Sequence, residues 1–380
     1  MATSKDFHSP VYKDEIPTPA LLLDLDLFER NLNKMADFLN QKHIDFRPHA
    51  KTHKCPVIAK KQLERGAKGI CVAKLSEAEV MSAEGIQEIL ITSEIVSKSK
   101  IEQLIALARQ CPSLLAVVDH PQPVRDFMEA AESRKVKLNV VIDIDGGNRR
   151  AGCLPGRPAL DLADLIARSN WLKLCGIQCY AGHVAHTVGF EARMKSSQEA
   201  LERALESKAL IEKYGFPIEM VTGGSTGSYN IDSQIDSQIQ GFTELQAGSY
   251  IFMDLDYRRI GSDSDELFLD FEFALTVVTT VISRSHANLA TVDGGFKAFA
   301  TDKPFTPELK NITGVSFRWA GDEHGILELG DPSQEIKLGD RLEFLTPHCD
   351  PTVNLYDRLY VVRADRVEDI WPIAARGKSQ

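Results

Sequence analysis

Gly69-Ile70-Cys71-Val72-Ala73-Lys74 is an apolar run of strand length, followed at once by a helix signal. Ser76 stands as an N-cap with Glu79 three residues on, the two halves of a capping box, and the helix is expected to close at Gly85. Glu88-Ile89-Leu90-Ile91-Thr92 then repeats the strand. A strand that is apolar on both faces must be covered on both faces, which is the mark of a parallel sheet wrapped by helices.

Working outward, the unit recurs. Upstream, 44–51 reads as a strand and 56–65 as a helix ending at Gly66. Downstream, 114–119, 138–145, 172–180, 219–222 and 244–253 read as strands, with helices over 98–110, 124–134, 159–168 and 190–214. Eight strands alternating with helices across 44–253 point to an α/β fold of the (β/α)8 barrel type; a doubly wound open sheet is the competing architecture. The rhythm changes after residue 262. Apolar stretches at 267–284, 289–292, 325–329, 341–345 and 358–363 are separated by Gly, Asp and Pro without comparable helices, so a second, C-terminal all-β domain is expected. The run 20–25 precedes a helix over 27–41, capped by Asp26, with Phe28, Leu32, Met35 and Phe38 at helical spacing. The expected division is a barrel over 27–262 and a β domain made of 1–26 plus 263–380.

Composition narrows the function. Hydrophobic content of 43% and charged content of 26% are ordinary for a soluble globular chain. A net charge of −10 speaks against nucleic-acid or membrane-surface binding. The seven cysteines form no CxxC pair and several lie in apolar runs, as free core thiols do. No apolar stretch is long enough to span a membrane and the start lacks a signal-peptide core, so the expected location is cytoplasmic.

In β/α barrels chemistry collects where strands end. The first strand carries Arg47-Pro48-His49-Ala50-Lys51-Thr52-His53-Lys54, and in extended backbone Arg47, His49 and Lys51 share one face. A cationic stripe is costly to bury without partners; taken alone it reads as a solvated strand end. Arg149 and Arg150 follow the fifth strand, and on spacing alone a salt bridge from Arg150 to Asp143 or Asp145 stands level with a ligand contact. Gln178 and Tyr180 end the sixth. Thr222-Gly223-Gly224-Ser225-Thr226-Gly227-Ser228 follows the seventh, and Gln246-Ala247-Gly248-Ser249-Tyr250 lies in the eighth. Glycine-rich turns at those two strands suit a phosphate. A phosphate site plus a strand-end lysine suggests pyridoxal phosphate, whose aldehyde takes the lysine and whose ring is an electron sink. In the β domain, Thr346-Pro347-His348-Cys349-Asp350-Pro351-Thr352 offers half of a divalent-metal site: extended backbone points His348 and Asp350 one way and Cys349 the other. Nitrogen with oxygen suits Mn2+ or Mg2+ as well as Zn2+, whereas a thiolate favours zinc. A surface His–Asp pair in a proline-rich turn is the alternative.

These motifs, together with Glu368-Asp369-Ile370-Trp371, make nearly the whole chain resemble the D-threonine aldolase and 3-hydroxy-D-aspartate aldolase family. These are pyridoxal-phosphate enzymes of fold type III, related to D-serine dehydratase and alanine racemase. The resemblance implies Lys51 as the Schiff-base residue, and the mechanism expected here has Lys51 also return a proton to Cα. It also implies Arg150 and Tyr180 at the cofactor, with His348 and Asp350 as the metal pair. Gln178, Thr222, Gly223, Gly224, Ser225, Thr226, Gly248, Ser249 and Tyr250 are the remaining expected cofactor contacts. His53 and a metal-bound hydroxide are the candidate bases for the substrate's β-hydroxyl. The metal is expected to be Mn2+ or Mg2+, with Zn2+ behind them. The family further implies a homodimer whose active sites form where one subunit's barrel meets the other's β domain. The dehydratase branch resembles His-x-Cys where this chain has His-x-Asp, so the expected reaction is cleavage of a D-3-hydroxy amino acid to glycine and an aldehyde. Elimination of water from such a substrate is the alternative, and a non-catalytic cofactor-binding protein is a further rival.

Overall fold

The computed structural model describes residues 11–233 and 241–380. The strands are β1 (Ala20–Asp24), β2 (Asp45–Phe46), β3 (Ile70–Val72), β4 (Ile89–Ile91), β5 (Leu115–Val118), β6 (Leu138–Asp143), β7 (Leu172–Cys179), β8 (Met220–Gly223) and β9 (Glu244–Leu245). They continue with β10 (Leu275–His286), β11 (Leu289–Val292), β12 (Glu308–Leu309), β13 (Val315–Trp319), β14 (Gly325–Leu329), β15 (Arg341–Leu345), β16 (Arg358–Arg363) and β17 (Arg366–Pro372). Two compact units result. One comprises the chain through Asn31, Ile251–Asp256 and Phe271–Arg376; the other comprises Leu32–Tyr250, Tyr257–Asp270 and Gly377–Gln380. The first ten residues of the expected β domain lie outside the described residues.

In the second unit, β2 to β9 form one parallel row in the order β2-β9-β8-β7-β6-β5-β4-β3. The row closes on itself: His49 bridges Cys71 in parallel, Cys71 N donates to Pro48 O at 2.9 Å, and Ala50 N donates to Cys71 O at 2.7 Å. The result is the expected barrel, not an open sheet. Its strands are continuous apolar runs because both faces are covered; every residue of β3 and β4 is fully buried. Cys71, Leu90, Leu115, Val117 and Val141, from four adjacent strands, pack as one cluster. Each fully buried Leu or Val there contributes about 1.5–3 kcal/mol. The helix Lys98–Gln110 turns Ile101, Leu104, Ile105 and Ala108 inward at helical spacing.

Four barrel expectations need correction. The first strand is only β2, because Pro48 has no N–H and the chain turns at residues 50–54, where Lys54 N closes on Ala50 O at 2.7 Å. The eighth is only β9, after which Thr226 Oγ1 takes the Tyr250 N–H at 2.9 Å and the chain enters a 3-10 turn, Ser249–Ile251. The N-cap of the helix Leu75–Ala83 is not Ser76 but Lys74, two residues earlier, where Glu77 Oε2 accepts Ala73 N at 2.7 Å and Lys74 N at 3.0 Å. Likewise Asp24, not Asp26, caps Leu25–Lys42, accepting Leu27 N at 3.1 Å.

Among the described residues the β unit is a nine-stranded sheet. β1 belongs to it, antiparallel to β10 and parallel to β16. β10 starts at Leu275 rather than 267, and β12, β13 and β17 add to the expected strands. Phe299, Phe317, Trp319 and Phe344 pack edge to face, with centroids 5.0–6.2 Å apart. Residues 349–353 are not extended but form a one-turn helix, Cys349–Val353. Asp254 Oδ2 accepts its first N–H from Cys349 at 2.8 Å, and Thr352 Oγ1 donates to His348 O at 2.7 Å. Strand alternation therefore does not apply to His348 and Asp350. Among the described residues no helix is long and apolar enough to cross a membrane. The seven cysteines are free thiols, and burial pushes those of Cys55 and Cys153 up to about 11 and about 12.

Candidate active site

Strand register assembles the site. In the parallel ladder Asp143 lies beside Gln178, Gln178 beside Thr222 and Thr222 beside Glu244. These side chains are buried and hydrogen-bond along the row. Gln178 Nε2 donates to Asp143 Oδ1 at 2.9 Å, and Thr222 Oγ1 donates to Glu244 Oε1 at 2.9 Å. Gln246 Nε2 reaches both Thr222 Oγ1 at 2.9 Å and Gln178 Oε1 at 3.2 Å. Arg47 completes the line, its Nε 2.9 Å from Glu244 Oε1. The stripe of cations inferred for the first strand is therefore split: Arg47 is a buried ion-pair partner.

His49 and Lys51 line a cavity of about 360 Å³ with Lys74, Thr92, Glu94, Asp143, Arg150, Gln178, Tyr180 and Gln246. Thr92 Oγ1 donates to Val72 O at 3.1 Å, so His49 Nε2, 3.1 Å away, is the donor to Thr92. His49 Nδ1 then accepts from Lys51 N at 3.4 Å. Lys54, held at φ +51°, ion-pairs with buried Glu77, the same carboxylate that caps the helix after β3. The turn carrying Lys51 is tied down on both sides.

The predicted trio meets here. Lys51 Nζ lies 5.6 Å from the Tyr180 ring centroid and the Arg150 guanidinium 5.3 Å from it. Asp145 accepts the Gly147 and Arg149 N–H groups, both at 2.9 Å, and so shapes the loop that presents Arg150. Asp143 is bonded by Gln178. Burial first, and then the neighbouring Glu94 carboxylate, hold Asp143's carboxyl well above the usual range, against the opposing Gln178 hydrogen bond.

His53 is not brought into this cavity. It is fully buried, and its Nδ1 accepts Cys55 N at 3.1 Å, because the turn at residues 50–54 carries it inward. Tyr250 lies in the core with its hydroxyl accepting from Gln62 Nε2 at 3.0 Å. The glycines of the two loops are demanded by the fold itself. Gly224 has φ +75°, and a Cβ on it would stand 2.6 Å from Asp232 Oδ2. One on Gly248 would stand 2.6 Å from Thr52 Oγ1 and 3.0 Å from His49 O, both in the Lys51 turn. Behind the Thr222–Ser228 loop, Ser225 Oγ and Ser228 Oγ lie 2.9 Å apart, and Ser228 donates to Asp232 Oδ2 at 2.6 Å.

The donor set fits pyridoxal phosphate. A lysine amine, a guanidinium and an aromatic face converge on a cavity of small-molecule size, with two amides beside them. In the β unit His348 precedes the helical turn in extended backbone (φ −145°) and its Nδ1 lies 2.7 Å from Asp302 Oδ2. Imidazole nitrogen and carboxylate oxygen are hard donors suited to a divalent cation, while Cys349, between His348 and Asp350 in sequence, is fully buried. Among the described residues no group of three or more His, Cys, Asp or Glu side chains is placed to hold a metal. Sequence reasoning missed Glu244, Glu77 and Asp302, named Asp143 only as a salt-bridge partner for Arg150, and gave Gln246 no role. Polar residues inside otherwise apolar strands were the available signal for Glu244 and Asp143.

The chain is similar to known proteins over nearly its whole length. The model of the alanine racemase N-terminal domain matches residues 23–256, and that of a putative serine dehydratase domain matches residues 274–362. A 3-hydroxy-D-aspartate aldolase of Paracoccus denitrificans (strain Pd 1222) is 36% identical over 96% of this chain and 94% of its own length. A D-threonine aldolase of Arthrobacter sp. is also 36% identical, over the same shares of the two chains. A D-threo-3-hydroxyaspartate dehydratase of Delftia sp. (strain HT23) is more distant, at 27% over 94% of this chain and 97% of its own. The crystal structure of D-threonine aldolase from Filomicrobium marinum superposes with a TM-score of 0.93 at 36% identity, covering 98% of this chain and 99% of that one. With the barrel, the Lys51 cavity and matches over nearly its full length, the chain belongs to the D-threonine aldolase and 3-hydroxy-D-aspartate aldolase family, built on the alanine racemase N-terminal domain.

Proposed function

We propose that the chain is a pyridoxal-phosphate- and divalent-metal-dependent lyase that cleaves D-3-hydroxy amino acids to glycine and an aldehyde. The observation that carries this reading is the meeting of Lys51, Arg150 and Tyr180 in one cavity at the strand ends of a barrel. When bound, the pyridine ring supplies an electron sink for the Cα–Cβ bond and the cation supplies a Lewis acid for the β-hydroxyl. Lys51 Nζ is the covalent anchor for the aldehyde and, once displaced, the group that returns a proton to the glycine α-carbon. Arg150 and the Tyr180 face hold position and charge. Lys51, Lys74 and Arg150 outnumber the Asp143 and Glu94 carboxyls among the residues lining the cavity, which favours a substrate carboxylate. Thr222, Gly223, Gly224, Ser225, Thr226, Gly248 and Ser249 are the proposed phosphate contacts, supported by their place at the C-terminal end of β8 and in the turns after β8 and β9.

His348 and Asp350 hold the cation, Mn2+ or Mg2+ by their hard donor set, with water and substrate oxygens completing the shell. The domain division proposed is a barrel that binds the cofactor and a β domain that binds the metal. The chain acts as a homodimer, each site completed by the second copy, a reading that rests on the family resemblance, and its free thiols suit a reducing cytoplasm. Product analysis with D-threonine and D-3-hydroxyaspartate tests the reaction. Glycine plus an aldehyde, lost with a chelator and restored by Mn2+, is the expected result. A keto acid with ammonia would instead assign water elimination.

A further inference from the structure

We infer that Asp302 is a positioning residue that orients the His348 imidazole and fixes its tautomer for metal binding. The inference rests on the proposed metal role of His348 and Asp350. A carboxylate oxygen can only accept, so at 2.7 Å the His348 Nδ1 carries the hydrogen given to Asp302 Oδ2. The Nε2 lone pair is thereby left as the ligating atom. A metal-bound histidine ordinarily donates its other N–H in this way, which fixes the ring and raises the basicity of the ligating nitrogen.

The surroundings are built to hold that geometry. Ala300 N donates to Thr352 Oγ1 at 3.0 Å, and the same hydroxyl donates to His348 O at 2.7 Å. One threonine thus ties the segment bearing Asp302 to the residue that Asp302 contacts. Tyr356 Oη anchors the segment further back, donating to Ala298 O at 2.9 Å, and Lys303 pairs with Asp256 at 2.7 Å just beyond. The backbone of the next residue, Cys349, is held by Asp254 at 2.8 Å. The His348 side chain is one-fifth exposed and that of Asp302 43% exposed, so the pair sits at the surface, where a cation and its waters have access. Surface contacts of this kind add little to stability, which argues that the arrangement serves the imidazole rather than the fold.

The test is direct Mn2+ binding to the cofactor-loaded protein, read from the electron paramagnetic resonance signal of free Mn2+. Thermal unfolding and the visible absorbance of the lysine-linked cofactor serve as controls. His348→Ala should abolish the site. Asp302→Ala should weaken Mn2+ binding about 10–100-fold with both controls unchanged. Asp302→Asn should fall between, because its amide oxygen still accepts the Nδ1 hydrogen but carries no charge. If His348→Ala abolishes binding while both Asp302 variants bind as the wild type does, the inference is overturned and the metal pair stands. If His348→Ala itself binds Mn2+ normally, the metal pair falls and the role of Asp302 with it.

Discussion

Glu244→Gln isolates the contribution of the buried Arg47–Glu244 pair. Arg47 is 2% exposed and Glu244 1%, with Nε 2.9 Å from Oε1. Burial alone would lower the Arg47 pKa; the facing carboxylate outweighs it and the net direction is upward. Glutamine keeps the shape and one acceptor oxygen for Arg47 or Thr222, so the substitution removes charge more than it removes hydrogen bonds. Stranding one member of a buried pair costs about 3–5 kcal/mol, and the retained acceptor puts the expected loss near the lower end, about 3 kcal/mol. Replacing both members by neutral residues of similar size, Arg47→Met with Glu244→Gln, should recover most of that loss, since an uncharged core at such a site is often as stable as the ion pair. Urea unfolding of the single and double variants gives both numbers. A single-variant loss under about 1 kcal/mol, or a double variant worse than the sum of the singles, would refute the claim that a desolvated charge dominates here.

Lys51→Ala should abolish the visible absorbance of bound pyridoxal phosphate while leaving the circular dichroism unchanged; retention of a borohydride-reducible link at another lysine would reassign the anchor. Gly248→Ala should weaken cofactor binding at least about tenfold in a fluorescence titration, because its Cβ meets Thr52 and the His49 carbonyl in the Lys51 turn. Asp232, buried and pushed from the ordinary 3.8 to about 6, is stabilising when protonated. Its contribution is present below about pH 4 and is lost as pH rises to about 6, a fall of about 3 kcal/mol at 1.36 kcal/mol per unit. Asp232→Asn should flatten that part of the stability profile between pH 4 and 7 relative to the wild type, and parallel profiles would show that Asp232 does not titrate there.

The β/α rhythm was legible because parallel barrel strands are buried on both faces and so are written as apolar runs, as in Ile70-Cys71-Val72 and Ile89-Leu90-Ile91. Lys51, Arg150 and Tyr180 were legible for a related reason: each follows a strand, and a barrel gathers its strand ends at one mouth. The lengths of β2 and β9 were not, since Pro48 and the Thr226–Tyr250 bond act on backbone groups whose partners lie far along the chain. His53 carried no local mark separating it from His49. One ring faces the cavity and the other the core, and the turn at residues 50–54, closed by Ala50 and Lys54 and braced by Glu77, decides which. The same holds for Asp143, Gln178, Thr222 and Glu244. Each is an isolated polar residue in its own strand, and only the parallel register sets them side by side. Asp302 lies 46 residues before the histidine it contacts. Local periodicity reports burial, which the chain carries residue by residue; pairing between polar groups depends on register and packing, and those exist only once the strands have closed.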